Sequence, residues 1–276
     1  MGVTVHARCS VFHISKIDRL PVLQRNYRLA VLWVVGFAAI VAMPFVAPIA
    51  QSSDYHNFSD ARTLLGIPNF WNVVSNLPFL LAGVLGFITT LRGSRGALPS
   101  LRIAYALFFA SVAWVCFGSG YYHWAPSNRT LVWDRLPMAV AFMAFASIVC
   151  GEHVNERIAK AALWPLIAVG VFSVLYWDYT ESLGRGDLRL YGLVQFLSLA
   201  LIALILWLFP SRLTGVGFIW AMFGGYALAK VLEEFDAFVY AATGQIVSGD
   251  ALKHVAAAAG MYFFVVALSR RQVRDA

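Results

Sequence analysis

Charge is what this sequence lacks most. Only 13% of its 276 residues are Asp, Glu, Lys or Arg, while 60% are hydrophobic; soluble domains carry about 25% charged residues. A chain so composed cannot dress a water-facing surface, which excludes an ordinary soluble domain. Cysteine is scarce too. Cys9, Cys116 and Cys150 are too few and too scattered for a disulfide framework, and the last two lie in apolar runs where a thiol serves as a small buried hydrophobe. There is no low-complexity segment, no internal repeat and no linker long enough to separate a pair of domains. The formal net charge is +7, but the basic residues are dispersed through short loops. The missing basic stripe excludes a nucleic-acid partner.

What is present is length of apolar run. Crossing a hydrocarbon core of about 30 Å takes roughly 20 apolar residues in a helix. Eight such runs occur, at Leu29 to Ala50, Asn72 to Leu91, Leu101 to Tyr122, Leu131 to Cys150, Ala161 to Trp177, Leu188 to Phe209, Gly215 to Glu234 and Asp250 to Ser269. The fifth is the shortest. The expected fold class is therefore all-α, an integral membrane helical bundle. Ala47-Pro48-Ile49-Ala50 loosely resembles a signal-peptide cleavage site, but the long basic leader and the long apolar run disfavour cleavage. The expected organisation is a basic N-terminus (1–28), a first transmembrane helix (29–50), a polar connection (51–71) able to cap one face, a membrane domain (72–269) and a basic tail (270–276).

Cytoplasmic loops carry the excess of Lys and Arg. Fourteen of the 21 basic residues fall on the side of the termini, among them Arg8, Lys16, Arg19, Arg25, Arg28, Arg92, Arg95 and Arg102. Five (Arg62, Arg129, Arg135, Arg185 and Arg189) fall on the other. Both termini are thus expected in the cytoplasm, as an even number of spans requires. Tyr121, Trp124, Trp133 and Trp177 stand at span ends and read as interfacial anchors.

Polar side chains inside a bilayer are costly and usually functional. Here they gather toward the face opposite the termini: Asn72, Ser75 and Asn76, then Ser119 and His123, Asp134, Asp187 to Gln195, Lys230 to Asp236, and Asp250, Lys253 and His254. Each taken singly reads as a wet helix end or a cap, but their shared depth points to a site. Asp250 and His254 are four apart, a spacing that lets two side chains of one helix reach one metal ion. With His123 they make two imidazoles and a carboxylate, a set used by catalytic zinc with a position left for water. Such a pair alone is more often a cap than a ligand set.

Three motifs sharpen this reading. They are Asn69-Phe70-Trp71-Asn72-Val73-Val74-Ser75-Asn76; Ser119-Gly120-Tyr121-Tyr122-His123 followed by Asp134-Arg135-Leu136-Pro137-Met138; and Asp250-Ala251-Leu252-Lys253-His254. From Asn69 to Ser269 the chain resembles the alkaline ceramidase family and, more remotely, the adiponectin-receptor-like members of the same membrane hydrolase superfamily. The resemblance implies a seven-helix core preceded here by one additional helix. It also implies Zn2+ and hydrolysis of the amide bond of a ceramide-like membrane lipid. The zinc ligands would be His123, Asp250 and His254, with Asp250 standing where the family has histidine. Ser119 and Asp134 would be the catalytic residues, the serine on the developing oxyanion and the aspartate moving protons. Asn69 stands where the family's calcium-binding segment has an acid, so no calcium site is expected. The alternative is a metal-containing lipid-binding or receptor-like protein without hydrolase activity, which Asp250 favours. A proton-relay transporter through Asp134, Glu233 and His254 fits less well, because its polar groups belong at mid-membrane. The lipid head group and the oligomeric state are not encoded legibly.

Overall fold

The computed structural model describes residues 21–274; Cys9 and the first basic residues lie outside them. Among the described residues there is no β-strand, only two isolated bridges, and the chain is a helical bundle. The helices are α1 (Val22–Ala42), α2 (Phe70–Val74), α3 (Leu77–Arg92), α4 (Arg102–Trp124), α5 (Asn128–His153), α6 (Glu156–Ser182), α7 (Arg189–Gly192), α8 (Ser198–Leu208), α9 (Gly217–Glu234), α10 (Asp236–Ala242) and α11 (Gly249–Arg270). Seven helical segments among the described residues are long and apolar enough to cross a membrane. The eighth expected span is present as α9, but Lys230, Glu233 and Glu234 at its end keep it out of that set.

Two expectations about the spans need correction. The first span does not run to Ala50: α1 gives way to a single tighter turn at Met43–Phe45, and the chain then extends. Pro44 is the second residue of that turn and Pro48 follows it, and neither has an N–H to donate to a continuing helix. The fifth run is not short. It is the core of α6, at 27 residues the longest helix, with Asn155 capping its start through bonds from the Arg157 and Ile158 N–H groups. Its polar ends, Glu156 and Asp178 to Ser182, hid its length from a search for apolar runs.

The helices pack as an incomplete ring. α4 lies between α3 and α5, α5 also meets α6 and α8, and α11 joins α3 to α9. α8 and α9 share little packing, and α1 lies against α8 with no buried side chain. Trp33 and Phe37 of α1 are largely exposed, as lipid-facing residues are.

Helices in lipid gain little from hydrophobic transfer and rely on close packing, so small residues stand at their crossings. At the α4–α5 crossing a Cβ on Gly118 would sit 2.0 Å from the Trp133 carbonyl oxygen. Pro137, one turn later in α5, has no N–H to offer that carbonyl, so the oxygen is left facing α4. Gly225 and Gly260 bring α9 and α11 together in the same way.

The end of the bundle holding the first and last described residues is locked by a charged cluster. The Arg271 guanidinium pairs with the Glu152 carboxylate, both fully buried, and donates to the Thr214 carbonyl at 3.1 Å. Tyr105 donates to the same carboxylate, and Arg212 N–H donates to the Glu152 carbonyl at 3.0 Å. Cys116 and Cys150 are free thiols.

Candidate functional site

At the other end of the bundle three side chains from two helices converge. His123 lies in the last turn of α4, Asp250 in the first turn of α11, and His254 one turn further along α11, all buried. One ligand atom from each lies within 4.8 Å of the other two. The start of α11 is set by Ser248, whose hydroxyl oxygen accepts from Ala251 N–H at 3.1 Å, while Asp250 N–H donates to Asp236 at 2.7 Å. These caps hold the Asp250 and His254 side chains on one face, as four-residue spacing requires.

The partners orient the ligand atoms. The Ser75 hydroxyl donates to the Asn72 carbonyl at 3.2 Å, and its oxygen lies 2.8 Å from His254 Nδ1. That arrangement puts the ring proton on Nδ1 and leaves the Nε2 lone pair for the cluster. His123 Nδ1 and Asp250 Oδ2 are 3.6 Å apart, buried and without a hydrogen-bond partner. The other Asp250 oxygen is paired with the Lys253 ammonium, which also reaches Glu233 at 3.2 Å. Buried polar atoms are rarely left unpaired, and two such ligand atoms facing each other beside a third nitrogen fit a cation held between them. Two imidazoles and a carboxylate are donors that zinc accepts.

The connection between α1 and α2 covers this cluster. Phe58 packs on the His123 ring, 4.6 Å between centroids, and His56 is held by Asn128 at 2.9 Å and by the Tyr122 hydroxyl at 3.0 Å. Asp60 is clamped by a two-pronged contact from Arg62, at 2.8 and 2.6 Å, and Arg62 also donates to the Ile246 carbonyl at 2.7 Å. Burial pushes the Asp60 carboxyl upward, but the Arg62 guanidinium outweighs it and the net shift is below the ordinary carboxylate range. Asp60 is thus committed to Arg62, and Asn69 donates its amide to the His123 carbonyl at 2.8 Å, so this segment is tied down over the cluster.

Beside the cluster opens a cavity of about 610 Å³. Ser119, Asp134, Lys253, Glu233 and His254 line its polar end, with Tyr55, whose hydroxyl donates to Glu233 at 3.0 Å. Phe79, Phe108, Val112, Phe145 and Met261 line its apolar body, and Ala39 and Ala42 of α1 with Met43 just after it wall its side where α8 and α9 diverge.

His123, Asp250 and His254 thus cluster, and Ser119 and Asp134 line the adjoining cavity with His254. Lys253, Glu233 and Ser75, named among the polar residues of this face but given no part in the metal or catalytic set, join them, as does Tyr55, which the sequence reading did not name. Lys253 was marked by its depth and by lying between Asp250 and His254, and Tyr55 by nothing in its local sequence. Trp177 is not an interfacial anchor. It is fully buried, because α6 continues past it to Ser182 and turns its ring toward Arg135. Tyr121, Trp124 and Trp133 are about half exposed, as anchors are.

Compared with known proteins, residues 64–206 match the family model described as Ceramidase, more than half of the chain. The chain belongs to the ceramidase family. Membership makes it a membrane-embedded hydrolase of amide bonds with a lipid substrate. The match ends before α11, so Asp250 and His254 rest on the geometry above. Among the curated proteins compared, none matches.

Proposed function

We propose that this ceramidase-family chain is a zinc-dependent hydrolase of the N-acyl bond of a ceramide-like lipid. The observation that carries the proposal is the pair of orphaned buried ligand atoms, His123 Nδ1 and Asp250 Oδ2, facing each other beside His254. His123, Asp250 and His254 would hold the ion, which when bound polarises the amide carbonyl and acidifies water. An aspartate in place of a neutral ligand lowers the ion's Lewis acidity, and the Lys253 ammonium on the far Asp250 oxygen offsets that charge.

The remaining work falls to the chain's own groups. Asp134 lines the polar end of the cavity and carries a proton from the attacking water to the leaving amine. Ser119 donates to the oxygen on which negative charge develops. The apolar body of the cavity takes the acyl chain, and the gap between α8 and α9 behind α1 gives it a sideways entrance from the lipid. The connection over His123 keeps bulk water from the polar end, which strengthens each of these contacts. The basic residues support a site facing away from the cytoplasm, with both termini inside.

Elemental analysis of the purified chain tests the reading. About one zinc per chain, lost in His254→Ala, together with ceramide amidase activity abolished in His123→Ala and kept in the exposed-loop control Arg95→Ala, is the expected outcome. Equal activity in both variants would falsify it. A second reading, a lipid-binding protein that does not hydrolyse, is favoured by the pairing of Lys253 with Asp250. Zinc absent from the native chain but gained in Asp250→His would move it to first place.

A further inference from the structure

One buried cation at the cavity has no carboxylate within ion-pair distance among the described residues. Arg135, next to Asp134 on α5, is 7% exposed and lines the cavity. Its guanidinium carbon lies 4.2 Å from the centroid of the Trp177 ring, 5.0 Å from that of Tyr191 and 6.0 Å from that of Tyr55. Nη2 donates to the Gln51 side-chain oxygen at 2.5 Å, whereas Nη1 is buried with no partner. The buried Arg271 pairs with Glu152, and the partly buried Lys253 and Arg189 pair with Asp250 and Asp187. Arg135 has none within 4 Å among the described residues. Glu181, the acid of that corner, is taken by Gln51 N–H, Trp177 Nε1–H and Asn128 Nδ2.

A desolvated guanidinium without an anion is costly. The aromatic rings repay some of that cost and hold the guanidinium in place, and a pre-held planar fork is what recognises a carboxylate or phosphate. The polar end of a lipid cavity is where an amphiphile would bring one. We propose that Arg135 seats an oxyanion carried by a single-chain amphiphile whose chain fills the apolar body of the cavity. The oxyanion has two sources, an acidic head group beyond the scissile amide or the carboxylate of the fatty acid that hydrolysis releases. The inference rests on the lipid-binding aspect of the proposed function and is independent of the metal.

Equilibrium binding to the full chain in dodecyl maltoside micelles tests it, with labelled N-palmitoylglycine, the neutral analogue N-palmitoylethanolamine, and palmitate. Arg135→Gln is expected to weaken one or both anionic compounds by about tenfold or more, the scale of a lost charge-assisted hydrogen bond, and the neutral analogue by less than about twofold. Loss for N-palmitoylglycine assigns the seat to the head group; loss for palmitate alone assigns it to the released acid. A variant that weakens all three compounds alike, or none, overturns the proposal. So does a native chain that, after correction for micelle partitioning, binds all three with equal affinity, a result that needs no folded variant. The same titration in His254→Ala keeps the anion preference, so loss of hydrolysis with binding intact would sink the amidase reading and leave this one standing.

Discussion

Gly118→Ala probes the contact on which the site's geometry depends. The alanine Cβ would stand 2.0 Å from the Trp133 carbonyl oxygen, a backbone atom in the second turn of α5 that no rotamer change can move aside. Reaching the 3.4 Å of ordinary contact requires α4 and α5 to move apart locally by about 1.4 Å. Overpacking of this kind costs about 1–3 kcal/mol. Ser119 and His123 ride on α4 and Asp134 on α5, so the same shift separates the hydroxyl and the imidazole from the carboxylate, and about 1 Å of misplacement can cost on the order of 100-fold in rate. Gly120→Ala, two residues along the same helix, is the control. Nothing lies within 4 Å of its Cβ, and replacing a helical glycine by alanine stabilises by about 0.5–1 kcal/mol. Denaturation of the detergent-solubilised chain by sodium dodecyl sulfate, run beside the amidase assay, should move the two variants in opposite directions. A Gly118→Ala chain as stable and as active as Gly120→Ala would refute the α4–α5 contact as described.

Two other predictions concern charge. Glu152→Leu and Arg271→Leu should each destabilise by about 3–5 kcal/mol, because each strands a buried charge; the double variant should cost less than the two single losses added together, as a double-mutant cycle would reveal. At the other end of the bundle, hydrogen bonds from Arg189 hold the Asp187 carboxyl below the ordinary carboxylate range. A folded pKa below the unfolded one means that the pair's contribution is complete above the unfolded value and is lost as pH falls through the folded one. Asp187→Asn should therefore lower the melting temperature at neutral pH and narrow its gap to the native chain on acidification, measured from about pH 7 to pH 3. A gap that stays constant over that range would remove Asp187 from the acid response.

Local chemistry carried the helical class and the Asp250–His254 pairing into the sequence. Apolar runs of spanning length have few alternatives to helices in lipid, because every backbone polar group must be satisfied within the segment. Asp250 and His254 share a face of α11 by spacing alone, so their pairing was legible before any fold was known. The extent of α6 was not legible, because its polar ends, Glu156 and Asp178 to Ser182, lie beyond its apolar stretch and lower the signal that a search for apolar runs detects. Nor were the long-range contacts. Tyr55 meets Glu233 across 178 positions and Ser75 meets His254 across 179, and no local pattern encodes which helix end lies beside which. Arg135 shows the division most clearly. Its sequence neighbours place it beside a site aspartate, but only the packing of α6 and α7 onto α5 surrounds it with Trp177 and Tyr191 and withholds a carboxylate. Sequence determined which residues could do chemistry in a membrane; tertiary packing decided which of them are left unpaired at the cavity, because an unpaired group is a property of all its neighbours at once.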